Sequence, residues 1–226
     1  AGHSEELAGV ESHLRALQDL LREDMGYGRP GDEEATALKA CEGVQDAVAE
    51  WLVVPPGLDR AVEALLGERV RGWSVDDPQA ASNAVAFLLE KDLGRGTFIP
   101  DAPRWQKIDR PQEWCAAVAD RPGVIGRAVD LIGVQGPRLA ARDYLFDGVV
   151  LIETLGDAIS LWQEQPWGDM QGPTFVTRAG EILDGAGVVT GGQAGATGGL
   201  LQRRREVMQL EERRIELSAA VDHGRQ

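Results

Sequence analysis

The densest group of cations in the chain is Arg203-Arg204-Arg205, with Arg213 and Arg214 following eight and nine residues after Arg205. Adjacent guanidiniums suit phosphate, which they can grip through paired N–H donors without reading base sequence. The same arginines also fit a plainer role, as the solvated face of a helix paired with Glu206, Glu211 and Glu212. The second chemically suggestive segment is GAGVVTGGQAGATGG at 185–199. A phosphate cradle would need GxxxxGK[ST], or a strand, GxGxxG and a helix in order. Neither is present, and no lysine follows a glycine cluster. A flexible loop remains one alternative. The reading adopted is a strand edge, because glycine in a strand forfeits packing and entropy unless another backbone must come close.

Other chemistries find few residues. His3, His13 and His223 all lie in the terminal segments, and Cys41 and Cys115 stand apart with no CxxC pair. That gives no metal-ligand spacing and favours a reducing compartment, with a Cys41–Cys115 disulfide left open. Acidic pairs such as Asp76-Asp77 read as helix caps rather than general acid–base groups. No nucleophile–base arrangement stands out, so neither catalytic residues nor a cofactor or small-molecule substrate are assigned. Trp51 and Trp73 lie in apolar runs, Trp162 in a helix and Trp167 after Pro166. With few bases nearby, they read as core and packing residues rather than as a stacking platform for single strands.

Charge narrows the partners further. The 226 residues carry a formal net charge of −14, with 43% hydrophobic and 27% charged residues. Residues 1–40 hold nine acids and four bases, and residues 200–226 hold five acids and six bases. The acidity therefore sits mainly in the middle, which repels phosphate, and any nucleic-acid contact must be local. No apolar run approaches the length of a membrane span, and no secretory signal precedes the first helix. The chain opens on Ala1 rather than Met and reads as a piece cut from a longer protein.

The elements that would position these residues begin with the two ends. Leu7, Val10, Leu14, Leu17 and Leu21 step by 3 and 4, and Val207, Leu210, Leu217 and Val221 do the same with Arg214 in the missing place. Both are heptad seams, so 1–28 and 200–226 are expected to pair as one antiparallel coiled coil with a globular cap between them. Within the cap, 43–54 is apolar and ends at Pro55-Pro56, 59–66 is a short helix, and 70–75 is a strand. Asp76 or Asp77 then caps a helix with Pro78 in its first turn, running to Leu93 before Gly94. Thr97-Phe98-Ile99 is a brief strand. With an offset of 80 the pattern recurs: Gly43-Val44 meets Gly123-Val124, Leu52 meets Ile132, Leu65 meets Leu145, Val70 meets Val150 and Asp77 meets Asp157. The expectation is an α/β fold of two related subdomains, 40–100 and 122–199. A proline-rich linker, 101–121, packs down through Trp105 and Trp114. A hairpin is expected at 174–183 around Arg178-Ala179-Gly180.

Five segments carry a family resemblance: AVEALLG at 61–67, LGRGTFIP at 93–100, GVIGRAVDL at 123–131, VVTGG at 188–192 and GLLQRRRE at 199–206. In this order, between two coil segments, the chain resembles the hinge domain of SMC (structural maintenance of chromosomes) proteins of the bacterial and archaeal type. The resemblance implies a homodimerising hinge at the tip of a long antiparallel coiled coil, with ATPase heads at the far ends outside this piece. It also implies a nucleoid-associated place in the cytoplasm and a part in chromosome condensation and segregation. Paired family glycines beside the final strand fall on Ala186, Gly187, Gly191 and Gly192, where Ala186 departs from the pattern. Gly94 and Gly96 are expected to shape the opposing edge. Arg203, Arg204 and Arg205, with Arg22 and Arg29 from the other strand, are the candidate DNA contacts at the coil root. A DNA-binding module acting through them is the alternative to the dimerisation hinge.

Overall fold

The computed structural model describes residues 2–24, 33–105, 117–167, 172–192 and 199–223. Helices α1 (Gly2–Asp24) and α9 (Leu200–His223) pair along their length. They are antiparallel, because Glu6 meets Arg213 at 2.7 Å while Gln18 reaches Glu211 at 3.4 Å. The heptad positions face inward as expected: Leu14, Leu17, Val207 and Leu217 are buried, and only Arg214 of the seam is exposed. The polar residues work across the seam more than along one helix. Arg213 bonds to Glu6 and Glu216, Glu206 lies 3.6 Å from His13, and Glu211 accepts from Gln18.

The body repeats one unit. Helix α2 (Glu33–Lys39) leads into the first copy, which runs β1 (Val44–Ala47), a helical turn α3 (Val48–Trp51), β2 (Leu52–Val53), α4 (Asp59–Leu66), β3 (Trp73–Val75), α5 (Pro78–Lys91) and β4 (Phe98–Pro100). The second runs β5 (Val124–Arg127), α6 (Ala128–Leu131), β6 (Gly133–Val134), α7 (Leu139–Phe146), β7 (Val149–Ile152), α8 (Leu155–Glu164) and β8 (Thr174–Thr177). In each, the apolar segment read as one strand is broken by a helical turn. The turn redirects the chain from its own sheet into a two-residue ladder between the copies, where Leu52 faces Val134 and Val53 faces Gly133.

The copies stay in phase only partway. Asp59 and Leu139 open equivalent helices 80 residues apart. Val75 and Ile152, paired with Val44 and Val124, stand 77 apart. The cause is a 3-10 turn, Gly67–Arg71, that lengthens the first copy. Val70 therefore lies in that turn and not in a strand, and the expected strand is shorter, Trp73–Val75. Likewise Asp77 corresponds to Thr154 rather than to Asp157: each starts its helix, accepting a backbone N–H, from Ala80 at 2.8 Å and from Asp157 at 3.2 Å.

Both copies hinge on the same glycine device. The Gly43 carbonyl accepts from the Asp76 N–H at 2.9 Å, and that of Gly123 from Glu153 at 2.7 Å. Both glycines are left-handed (φ +79° and +78°), and a Cβ would sit 2.6 Å from the Ala80 Cβ in one and 2.5 Å from the Asp157 Cγ in the other. Only glycine meets both demands.

The sheets are β1-β3-β4 and β10-β9-β8-β7-β5, the second extended by β9 (Ile182–Leu183) and β10 (Val189–Thr190). β8 and β9 form the expected antiparallel hairpin. Each copy covers its sheet with its own apolar cluster, one around Trp73 and Leu88, the other around Phe175 and Leu161. A third cluster joins the copies: Trp51, Leu58 and Val62 pack with Ile132, Phe146 and Leu151, and Leu200 and Leu201 of α9 enter it. Arg138, itself buried, spans the join by donating to Gln45 at 2.8 Å and Asp46 at 3.0 Å. Trp105 packs edge-on against Tyr144, 5.9 Å between ring centroids; Trp114 and Cys115 lie outside the described residues.

Candidate functional site: two sheet edges and a coil root

The two sheets end in edges that no described strand covers, β4 in the first copy and β10 in the second. An open edge offers unpaired N–H and C=O groups to another strand. At β10 the offer includes apolar side chains, with Val188 and Val189 58% and 49% exposed. The turn leading into β10 is held firmly. Asp184 Oδ1 accepts from the N–H groups of Ala186 and Val188, both at 2.9 Å, and the Trp162 indole donates to the Gly185 carbonyl at 3.2 Å. Beside β4 lies a cleft of about 280 Å³ lined by Phe98, Pro100, Pro103 and Tyr144 together with Arg69 and Arg104.

The glycines singled out for these edges divide in two. A Cβ on Gly187 would come 2.7 Å from Trp162, and one on Gly96 would meet Leu88 at 2.8 Å and Phe98 at 3.1 Å. These two are glycine because of their own chain. Gly191 lies against Glu181, the residue before β9, 3.2 Å from a built Cβ. Gly94 and Gly192 have positive φ and open space beyond, and Ala186 is exposed. Gly187 and Gly96 thus already have close neighbours within the chain, Trp162 for the one and Leu88 and Phe98 for the other. Trp162 is the residue that reasoning from glycine alone passes over.

The coil root is built from α4. Asp59 takes Arg205 bidentately, Nη1 to Oδ2 at 2.8 Å and Nη2 to Oδ1 at 2.5 Å, while Nη2 also donates to the carbonyls of Val54 (2.9 Å) and Pro55 (3.3 Å). One turn on, the Glu63 carboxylate accepts from the N–H groups of Gly199 and Leu201, both at 2.6 Å, and so caps α9. Arg204 donates to the Glu50 carbonyl at 3.2 Å. Burial pulls its guanidinium below the usual arginine range, and the charges of Glu50, Asp46 and Glu211 oppose that effect. Arg203 is half-buried and lies across Gly199. Arg22 belongs to the last turn of α1, and Arg29 lies outside the described residues.

Among the described residues no group of three His, Cys, Asp or Glu is placed to hold a metal, and no helix is long and apolar enough to cross a membrane. The described cysteine, Cys41, is half-buried, its thiol 3.7 Å from the Ala37 carbonyl.

Comparison with known proteins agrees with this architecture. Residues 41–162 match the family model of the SMC proteins flexible hinge domain. The chain is 30% identical over 212 residues to the chromosome partition protein Smc of Myxococcus xanthus, covering 91% of this chain and 17% of that protein. It is 29% identical over 211 residues to the Smc of Mycobacterium leprae, covering 93% and 16%. The chain therefore spans about one-sixth of the length of these relatives. In fold, it superposes on an asymmetric dimer of the Geobacillus stearothermophilus SMC hinge domain with a TM-score of 0.79 at 24% identity, covering 98% of this chain and 87% of that one. A Pyrococcus furiosus Smc hinge domain with an extended coiled coil gives 0.55 at 22% identity, covering 98% and 77%. With two fused α/β copies capping an antiparallel coil, and with the family model matching across both, this chain belongs to the SMC hinge domain family.

Proposed function

We infer that the chain is the dimerisation hinge of a chromosome-partitioning SMC protein, acting as a joint and not as a catalyst. The edge strand β10 of one copy pairs with β4 of a second, and a two-fold axis repeats the contact, so two coiled-coil arms are joined at their tips. The observation that carries this reading is the exposed β10 edge with Val188 and Val189 standing out of it. Such an edge invites aggregation unless a designated partner covers it. The cleft beside β4, floored by Phe98 and Pro100, offers apolar surface for those valines. Main-chain pairing across a two-fold supplies the rest of the contact.

In the full-length protein, ATP hydrolysis belongs to heads at the far ends of the arms, and the hinge closes the ring or rod on chromosomal DNA in the cytoplasm. A DNA-capturing coil root gains no support from the geometry, because Arg205 is held by Asp59 and Arg204 lies against Glu50. Light scattering of the chain beside a Val189→Lys variant tests the joint. The parent is expected at twice its 24.4 kDa mass and the variant as a folded monomer. A parent that stays monomeric at micromolar concentration overturns the reading.

A further inference from the structure

We propose that Asp59 and Glu63, one turn apart on α4, form a two-carboxylate clasp that sets the direction in which the return coil leaves the body. Glu63 pins the start of α9 through the N–H groups of Gly199 and Leu201, and Asp59 pins Arg205 one turn further along. Two points on one helix fix both its tilt and its roll. A single cap would leave the roll free.

The chemistry favours a positioning role over a merely stabilising one. Replacing a buried ion pair with apolar groups is often neutral for stability, whereas a guanidinium fork on a carboxylate defines an angle. The first N–H groups of a helix need an acceptor, and helices normally find it in a Ser, Thr, Asp or Asn just before them. Here the cap comes from a residue 136 positions earlier in the chain, on a helix of the body. The second copy differs at these positions. The positions equivalent to Asp59 and Glu63 are Leu139, which is exposed, and Asp143, which pairs with its neighbour Arg142 at 2.6 Å.

Helix α4 is also wedged against the sheet that ends in β10. A Cβ on Gly180, in the β8–β9 turn, would lie 3.1 Å from the Ala64 Cβ and 3.2 Å from the Arg60 carbonyl. The clasp therefore ties the coil to the same rigid body that carries the joining edge.

The test reads coil direction inside one chain, so it does not depend on the joint. Nitroxide labels replace Ser218 on α9 and Ser160 on α8 in a chain whose two cysteines are changed to serine, diluted into unlabelled chain. Double electron–electron resonance then gives the distance distribution between them. The parent is expected to give one narrow peak. Asp59→Asn combined with Glu63→Gln is expected to widen it about twofold while helix content is unchanged. An unchanged peak in that double variant overturns the proposal. Should the double variant fail to fold, Arg205→Lys keeps the charge but cannot span both oxygens, and widening of about 1.5-fold is expected; an unchanged width there overturns the proposal equally. The solution mass of the parent is read separately: a monomeric parent whose double variant still widens overturns the joining reading and leaves the clasp standing.

Discussion

The two halves of the body are built to one plan and end differently. Both fold around a left-handed glycine, Gly43 or Gly123, and both run strand, helical turn, strand, helix, strand, helix, strand. The first stops at β4 and keeps a cleft beside it, because the extra 3-10 turn brings Arg69 to that edge. The second continues through the β8–β9 hairpin to β10 and presents valines. The scaffold is common to both, and the asymmetry lies in what each copy adds to it. On the proposed joint one half is a socket and the other a plug, so a chain carrying both would meet a second copy twice.

The largest effect is expected from breaking plug and socket separately. Val189→Lys and Tyr144→Asp should each weaken self-association by at least about 100-fold, roughly 3 kcal/mol, as for other central apolar contacts. Mixing the two variants should restore a dimer joined at one of its two contacts, visible as a heterodimer by native mass spectrometry. If the mixture stays monomeric, plug and socket do not meet each other.

Next comes the shared device. Gly43→Ala and Gly123→Ala each force a side chain onto positive φ against a neighbour closer than 3 Å, and about 2–3 kcal/mol of stability should be lost in either copy. Urea denaturation should find Gly43→Ala the worse of the two. Its Cβ meets the Cβ of Ala80 at 2.6 Å, which only a movement of α5 can relieve, whereas at Gly123 the Asp157 carboxylate can rotate away and leaves the looser 2.8 Å contact with its Cβ. Equal losses would mean that both helices shift with equal ease.

A smaller contrast separates the edge glycines. Gly187→Ala collides with Trp162 and should loosen the turn before β10, whereas Gly192→Ala meets nothing and carries only the backbone strain of φ +120°. The first is expected to cost about 2 kcal/mol and the second about 1 kcal/mol. Differential scanning calorimetry would resolve the two.

The smallest effect concerns pH. The Arg178 guanidinium, 2.7 Å from Glu153, holds that exposed carboxyl below its usual range. A lowered folded value means that the pair's contribution is present above the ordinary carboxylate pKa and fades as pH falls through the folded one. Glu153→Gln should therefore flatten the acid limb of the stability–pH curve slightly and leave the neutral plateau almost unchanged.

Much of this was legible from residue order because it is local. The heptad steps of Leu7 to Leu21 need only the neighbouring turn, and Pro78 after Asp77 marks a helix start without any tertiary partner. The repeat was visible through Gly43 and Gly123, whose backbone demand overrides everything nearby. It was misaligned beyond α4 because the 67–71 turn carries apolar Val70, which reads equally well as strand. The glycines announced close approach but not by what, so Gly96 and Gly187 were given to a partner when Phe98 and Trp162 already fill the space. Least legible was the coil root. The triple arginine advertised phosphate, while its acidic partners Asp59 and Glu50 lie more than a hundred positions away with no spacing rule to connect them.

The antiparallel pairing of α1 with α9 has one more consequence. Strand in and strand out lie side by side, so to the coiled coil the whole body is topologically a loop, however large. A body attached in that way can be moved as a cassette. Grafted in phase between two helices of an unrelated antiparallel coil, these residues should keep their shape where the heptads match and the Glu63 and Asp59 contacts to α9 are carried along.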